Sequence, residues 1–219
     1  MAGSFSIAFV CTGNRFRSPL ARAFVERLTL GLPIEVVTAG TLEIEGAPVL
    51  SEAQELGTWC GVDLSGHRSL PLSKLPLGDL DLVLGFEEQH VRRAVVDAGA
   101  AAGRSFMFRE LVHLLGMIDS PGGVAPPTRA RIGIERADEL RRAEPSPGPV
   151  RSAVSDPFGR PWNVYRQTAA EIRELSIELV ERLFGVTVTT GLPPVPERIA
   201  SRHWFRLSAR RRSLQRRWR

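Results

Sequence analysis

Cys11 and Arg17 stand in a C-x5-R arrangement inside the run VCTGNRFRSPLA. The spacing alone says little, because every one of the 29 basic residues except Lys74 is arginine and chance matches are common. Its surroundings carry the weight. An apolar stretch, residues 6–10, feeds the run, and Ser18-Pro19 opens a helix with serine at the N-cap and proline at the first helical position. Between the two, the backbone N–H groups of Thr12, Gly13, Asn14, Arg15, Phe16 and Arg17 can converge at a helix N-terminus and form a concavity for an anion, phosphate above all. Gly13 permits a positive φ and Asn14 tolerates one. The Arg17 guanidinium offers a planar fork for two phosphate oxygens. The same field favours a thiolate at Cys11, which makes it a nucleophile, and the Ser18 hydroxyl can donate to that sulfur. The loop lacks G-x4-G-K-S/T, which argues against nucleotide hydrolysis.

A thiolate that attacks phosphorus needs an acid for the leaving group. Asp156, in SDPFG, precedes the last helix, where the chain can return to the carboxyl end of a sheet. Phe158 can pack on an aromatic leaving group. Strands are predicted over residues 6–10, 34–38, 81–85 and 105–108, with helices over 18–28, 50–60 and 88–98 between them. This alternation predicts an α/β fold with a parallel sheet covered on both faces. A Pro/Gly-rich insertion at about 116–155 holds one short helix, 129–142. A long helix, 162–184, has Tyr165, Ala169, Ile172, Leu179 and Leu183 on one side and ends at Gly185. The reading divides the chain into a domain over 1–186, an extended linker over 187–198 and a basic tail over 199–219.

Composition narrows the function classes. No apolar run approaches the ~18 residues of a membrane span, and the first ten residues lack the charged and apolar regions of a secretory signal. The two cysteines, Cys11 and Cys60, are too few for a disulfide scaffold or a four-thiolate zinc site. His90, His113 and His203 show no metal-ligand spacing, so neither metal nor cofactor is expected. Cys60 reads as inert core. A reducing cytoplasm is the expected compartment. The net charge of +5 is an average over unlike parts: residues 202–219 hold eight Arg and no acid, whereas residues 1–201 carry a net −3. Nucleic-acid binding by the body is therefore not implied. In the tail, Trp204, Leu207, Leu214 and Trp218 align on one helical face among arginines, which suits an interfacial helix on an anionic membrane, against the alternatives of a solvated tail or a grip on nucleic acid.

The run VCTGNRFRSPLA, with DPFG far downstream, resembles the bacterial type of the low-molecular-weight protein tyrosine phosphatase family. TAGT at 38–41, VDLSGHRS at 62–69 and DLVLGFEEQH at 81–90 are similar to further stretches of that family, in the same order. The resemblance implies a flavodoxin-like, four-stranded parallel sheet and a two-step reaction through phosphocysteine. It puts Cys11 at the nucleophile, Arg17 at the phosphate clamp and Asp156 at the general acid. Asn14, Ser18, Thr38 and His67 fall in the network that supports the loop. Phe16 stands where many relatives carry a second cysteine, Gly159 where many carry a second aromatic, and Leu42–Ile44 offer no aromatic, so an atypical pocket is expected above ordinary phosphate chemistry. The implied function is hydrolysis of phosphotyrosine in proteins, a bacterial tyrosine kinase among the partners. Arsenate reduction with a small external thiol, and phosphate binding without turnover, are the alternatives.

Overall fold

The computed structural model describes residues 3–119, 121–143, 153–188 and 191–196. Four parallel strands, β1 (Phe5–Cys11), β2 (Ile34–Gly40), β3 (Leu82–Gly85) and β4 (Ser105–Met107), form one sheet in the order β2-β1-β3-β4. Among the described residues six α-helices accompany it: α1 (Arg17–Leu28), α2 (Ser51–Trp59), α3 (Glu88–Ala98), α4 (Phe108–Gly116), α5 (Pro126–Ala143) and α6 (Trp162–Phe184). The α/β class and the parallel sheet are as expected. Among the described residues no helix is long and apolar enough to cross a membrane.

The pleat of β1 sorts its side chains. Phe5, Ile7, Phe9 and Cys11 join the larger core, with Leu20, Phe24, Ile172 and Leu179 of α1 and α6. Ala8 and Val10 point the other way, to a smaller core with Ala94 of α3. Each fully buried phenylalanine or leucine contributes roughly 1.5–3 kcal/mol of transfer free energy, so the large-residue face dominates the packing. The small-residue face instead allows close approach. A Cβ on Gly85, at the end of β3, would lie 2.8 Å from the Val91 side chain and 3.0 Å from His90 Cβ. Glycine there lets the first turn of α3 sit against the strand end.

The helix α4 departs from expectation. The predicted strand 105–108 stops at Met107, and Phe108 begins the helix, whose Leu111, Val112, Leu114 and Leu115 are buried. The helix expected within the Pro/Gly-rich stretch is present and longer, and its Ala130, Ile134 and Ala137 are buried. Arg131 bridges Asp81 at 2.8 Å and the Ser4 carbonyl at 2.8 Å. Arg141 donates to the Ser105 carbonyl and lies 4.1 Å over the Phe106 ring. Thus α5 covers the amino ends of β1, β3 and β4, the edge opposite Cys11.

After α6, capped by Gly185 at φ 69°, the chain doubles back. Arg173 donates to the Leu192 and Pro193 carbonyls and Arg166 to the Pro196 carbonyl, while Leu192 is buried. Residues 191–196, expected as a linker, therefore form a strap along α6 that runs toward its N-terminus. The basic tail, 199–219, and its amphipathic reading lie outside the described residues.

Candidate active site

The loop between β1 and α1 leaves the sheet at its carboxyl edge. Asn14 adopts φ 51°, the only positive φ of a non-glycine residue among those described, and Gly13 is not in that region. The strained position is thus Asn14, and its side chain explains why. Fully buried, it accepts from the Leu70 amide at 2.9 Å through Oδ1 and donates to Ser18 Oγ at 2.8 Å through Nδ2. Its carbonyl accepts from His67 Nε2 at 2.8 Å, and burial holds the His67 pKa below its ordinary value, which keeps that ring a neutral donor. A Cβ on Gly40 would lie 3.0 Å from both the Asn14 nitrogen and the Thr12 carbonyl, so β2 can approach the loop only with glycine there. Thr41 and Leu42 amides, each at 2.9 Å, bond the Cys11 and Thr12 carbonyls.

Ser18 does not cap α1. The helix begins at Arg17 with Phe16 at the cap and no side-chain cap bond. The Ser18 hydroxyl is engaged elsewhere: it lies 3.0 Å from Cys11 Sγ while accepting from Asn14, which leaves its own proton free for the sulfur. Thr38 is buried in β2 beside Phe9 and makes no hydrogen bond to the loop among the described residues. Phe16 is buried and packs edge-on against Tyr165, with ring centroids 5.2 Å apart.

Arg17 is 1% exposed and ties the site together. Its Nη1 contacts Glu87 Oε1 and donates to the Val154 carbonyl at 3.1 Å, and its Nη2 donates to Thr12 Oγ1 at 2.8 Å and to Asp156 Oδ2 at 2.6 Å. The Val154 amide in turn bonds the Phe86 carbonyl, which fixes the Asp156 loop to the end of β3. Burial pushes the Glu87 carboxyl up, but the Arg17 hydrogen bond and charge outweigh it and hold the group below its ordinary value. His90, fully buried on α3, is pushed down to about 4 by burial first and then by the Arg17 charge, against the pull of Glu87 and Asp156. Residue type and spacing alone do not mark Glu87 and His90 as site residues. The available signal is an acidic residue two positions after a strand, at the ligand-binding edge.

Cys11, Thr12, Gly13, Arg15, Phe16, Arg17 and Asp156 line one cleft of about 130 Å³, rimmed by Leu42, Ile44, Leu50 and Phe158. That is well below the ~300–1,000 Å³ of a pocket enclosing a whole small molecule, so the cleft suits a phosphoryl group and part of what carries it. Phe158 is 69% exposed, and Arg15 lies along the wall with its Nε donating to the Pro48 carbonyl at 2.8 Å. Cys60 does not line this cleft; it is fully buried, and desolvation pushes its thiol up to about 11.

The family model for low molecular weight phosphotyrosine protein phosphatase matches residues 6–121. A low molecular weight protein-tyrosine-phosphatase of Escherichia coli is 29% identical over 103 residues, 47% of this chain and 68% of that one. A protein-arginine-phosphatase of Geobacillus stearothermophilus is 27% identical over 179 residues, 82% of this chain and 96% of that one. Among solved structures, a low molecular weight protein tyrosine phosphatase from T. tengcongensis superposes with a TM-score of 0.58 at 31% identity, covering 82% of this chain and 100% of that one.

Proposed function

The chain belongs to the low molecular weight phosphotyrosine protein phosphatase family, a family of hydrolases, and we propose that it removes phosphate from tyrosine in proteins through a phosphocysteine on Cys11. The observation that carries this reading is the Arg17 guanidinium, held on one side by Glu87 and reaching Thr12 and Asp156 on the other, beside Cys11 Sγ in one cleft. A phosphoryl dianion competes with Asp156 for the same Nη2, which frees the carboxyl to face the leaving oxygen. Loop amides and Arg17 stabilise the equatorial oxygens as the Cys11 thiolate attacks phosphorus in line. The P–O bond to tyrosine breaks, and Asp156 gives its proton to the phenolate. Water then attacks phosphocysteine, Asp156 takes a proton from it, and phosphate and the Cys11 thiolate are released.

Tyrosine fits the wall. Leu42, Ile44, Leu50 and Phe158 are apolar, and Arg15 adds a positive charge that attracts an aromatic face but repels the guanidino group of phosphoarginine. Arginine phosphatase activity is the second reading, favoured by the greater length over which the arginine-phosphatase relative aligns. Turnover of phosphotyrosine and phosphoarginine peptides, beside arsenate reduction with small thiols, decides between them. The expected result is phosphotyrosine hydrolysis, abolished in Cys11→Ser while inorganic phosphate still binds that variant. Preference for phosphoarginine, or arsenate reduction without phosphatase turnover, refutes the tyrosine reading.

Phosphotyrosine proteins, tyrosine kinases among them, are the partners this reading implies. The eight arginines between 202 and 219 suit an anionic membrane surface. Deleting residues 199–219 is expected to abolish salt-sensitive binding to anionic vesicles with soluble-substrate turnover unchanged. Equal vesicle binding by both forms refutes the membrane role.

A further inference from the structure

Phosphoryl transfer as described makes no use of one fully buried titratable side chain, that of His90. Its Nδ1 lies 3.0 Å from the Glu87 backbone nitrogen. A peptide N–H only donates, so Nδ1 carries a lone pair and the neutral ring keeps its proton on Nε2. That Nε2 lies 3.1 Å from Thr12 Oγ1, and the N–H donates to it. Thr12 Oγ1 accepts a second hydrogen bond from Arg17 Nη2 at 2.8 Å, where again only donation is open to the partner. Two donors fill both acceptor positions of the hydroxyl. Its own proton must point elsewhere, and Thr12 lines the cleft with Cys11 and Asp156.

From this chain of fixed roles we infer that His90 is a positioning residue that locks the Thr12 hydroxyl as a donor to the phosphoryl group. The inference rests on the phosphatase reading and adds a neutral donor to a site otherwise described by amides and a guanidinium. Its value lies in preorganisation. A free threonine hydroxyl rotates and can accept as well as donate, whereas this one has a single option before substrate arrives. Gly85 makes the arrangement possible, since a larger residue there would push the first turn of α3, and His90 with it, away from the loop.

Two substitutions separate this role from simple helix capping. The amide oxygen of His90→Asn can still accept from the Glu87 N–H, but its short side chain does not reach Thr12. The amide nitrogen of His90→Gln reaches toward Thr12 in the place of Nε2 and gives up the cap. The active wild-type enzyme is the reference, measured in steady-state phosphotyrosine-peptide assays beside thermal unfolding. Thr12→Val is expected to lower kcat on the order of 10–100-fold, as for loss of one hydrogen bond to a charged group, with a much smaller change in KM. Thr12→Ser restores most of it. His90→Asn should lower kcat on the order of 10-fold although it is as stable as wild type, His90→Gln should retain kcat despite lower stability, and His90→Asn should add nothing to Thr12→Val. Rate losses that follow thermal stability instead, or additive losses in the double variant, overturn the inference while leaving the phosphatase reading intact. A wild-type enzyme with no phosphatase turnover overturns that reading, and the inference falls with it.

Discussion

Glu87→Gln replaces a carboxylate by a neutral amide of nearly the same shape, at the point where Arg17 is anchored. Arg17 is 1% exposed and Glu87 25%. Breaking a fully buried pair costs about 3–5 kcal/mol. Here the glutamine oxygen still accepts from Nη1, Asp156 still balances the guanidinium, and the carboxylate is partly solvated, so the expected loss is about 1–2 kcal/mol. For a chain of this size that lowers Tm by roughly 2–8 °C. Phosphate binding should move the opposite way. At a separation of roughly 6–8 Å and an effective dielectric of about 20, the Glu87 charge opposes each unit of phosphate charge by ~2–3 kcal/mol, and solvent screening reduces the whole effect to about 1–2 kcal/mol. Inorganic phosphate should therefore bind Cys11→Ser/Glu87→Gln roughly 5–30-fold more tightly than Cys11→Ser, by isothermal calorimetry. The sign of the pH effect follows from the lowered Glu87 pKa. Its stabilisation is fully present above the unfolded carboxyl value of 4.5 and is lost as pH falls through the folded value below it. Thermal scans should show the Tm gap between wild type and Glu87→Gln intact at pH 7 and narrowing below pH 4.5. Weaker phosphate binding in the variant, or a gap that widens in acid, would refute the assignment of Glu87 as the electrostatic counterweight of Arg17.

Asp156→Ala should slow the first chemical step on phosphotyrosine more than on p-nitrophenyl phosphate, because a tyrosine leaving group, with a free pKa near ~10, gains far more from protonation. Equal losses in single-turnover measurements would point to a different acid. Gly40→Ala should destabilise the loop, since its Cβ would press on the Asn14 nitrogen and the Thr12 carbonyl at 3.0 Å; loss of phosphate binding by the Cys11→Ser/Gly40→Ala protein is expected, and unchanged binding would show that β2 yields. Peroxide should inactivate the enzyme irreversibly faster than its Phe16→Cys variant, because the buried Cys60 thiol, pushed up to about 11, is a poor trap for a sulfenic acid. Mass spectrometry finding a Cys11–Cys60 disulfide with full recovery in dithiothreitol would contradict this.

The β1–loop–α1 part of the candidate site is legible in the sequence because its pieces are local. A strand, a loop with Asn14, and a helix starting near Arg17 lie within a few residues of one another, and the α6 stripe from Tyr165 to Leu183 follows a single period. Local reading also misassigned what it reached. Ser18 reads as an N-cap by residue type, but Asn14 and Cys11 compete for its hydroxyl. Residue type leaves both Gly13 and Asn14 open to a positive φ, and the network around the Asn14 side chain selects Asn14. The partners of Glu87 and His90 are not legible in the sequence, because they are set by β3 lying next to β1, a neighbour relation that strand periodicity does not encode. The α4 helix was obscured because Phe108 ends one apolar run and begins another.

The strap on α6 turns the end of the domain into a tether point. Pro196 is held by Arg166, next in sequence to Tyr165, whose ring packs on Phe16 and whose hydroxyl accepts from the Gly159 amide beside Phe158. The chain therefore leaves the domain beside the helix turn that supports both the phosphate loop and the acid loop. The 23 residues from 197 to 219 have a contour of at most ~80 Å from that point, whatever conformation they adopt. If, as proposed, those arginines hold a surface or protein, the reach of the tether confines it around the cleft, and phosphorylated side chains on it would meet Cys11 at an effective concentration set by the tether instead of by the bulk solution. Moving the exit point, by replacing Arg166 and Arg173, would change that local concentration without altering a single residue that touches phosphate.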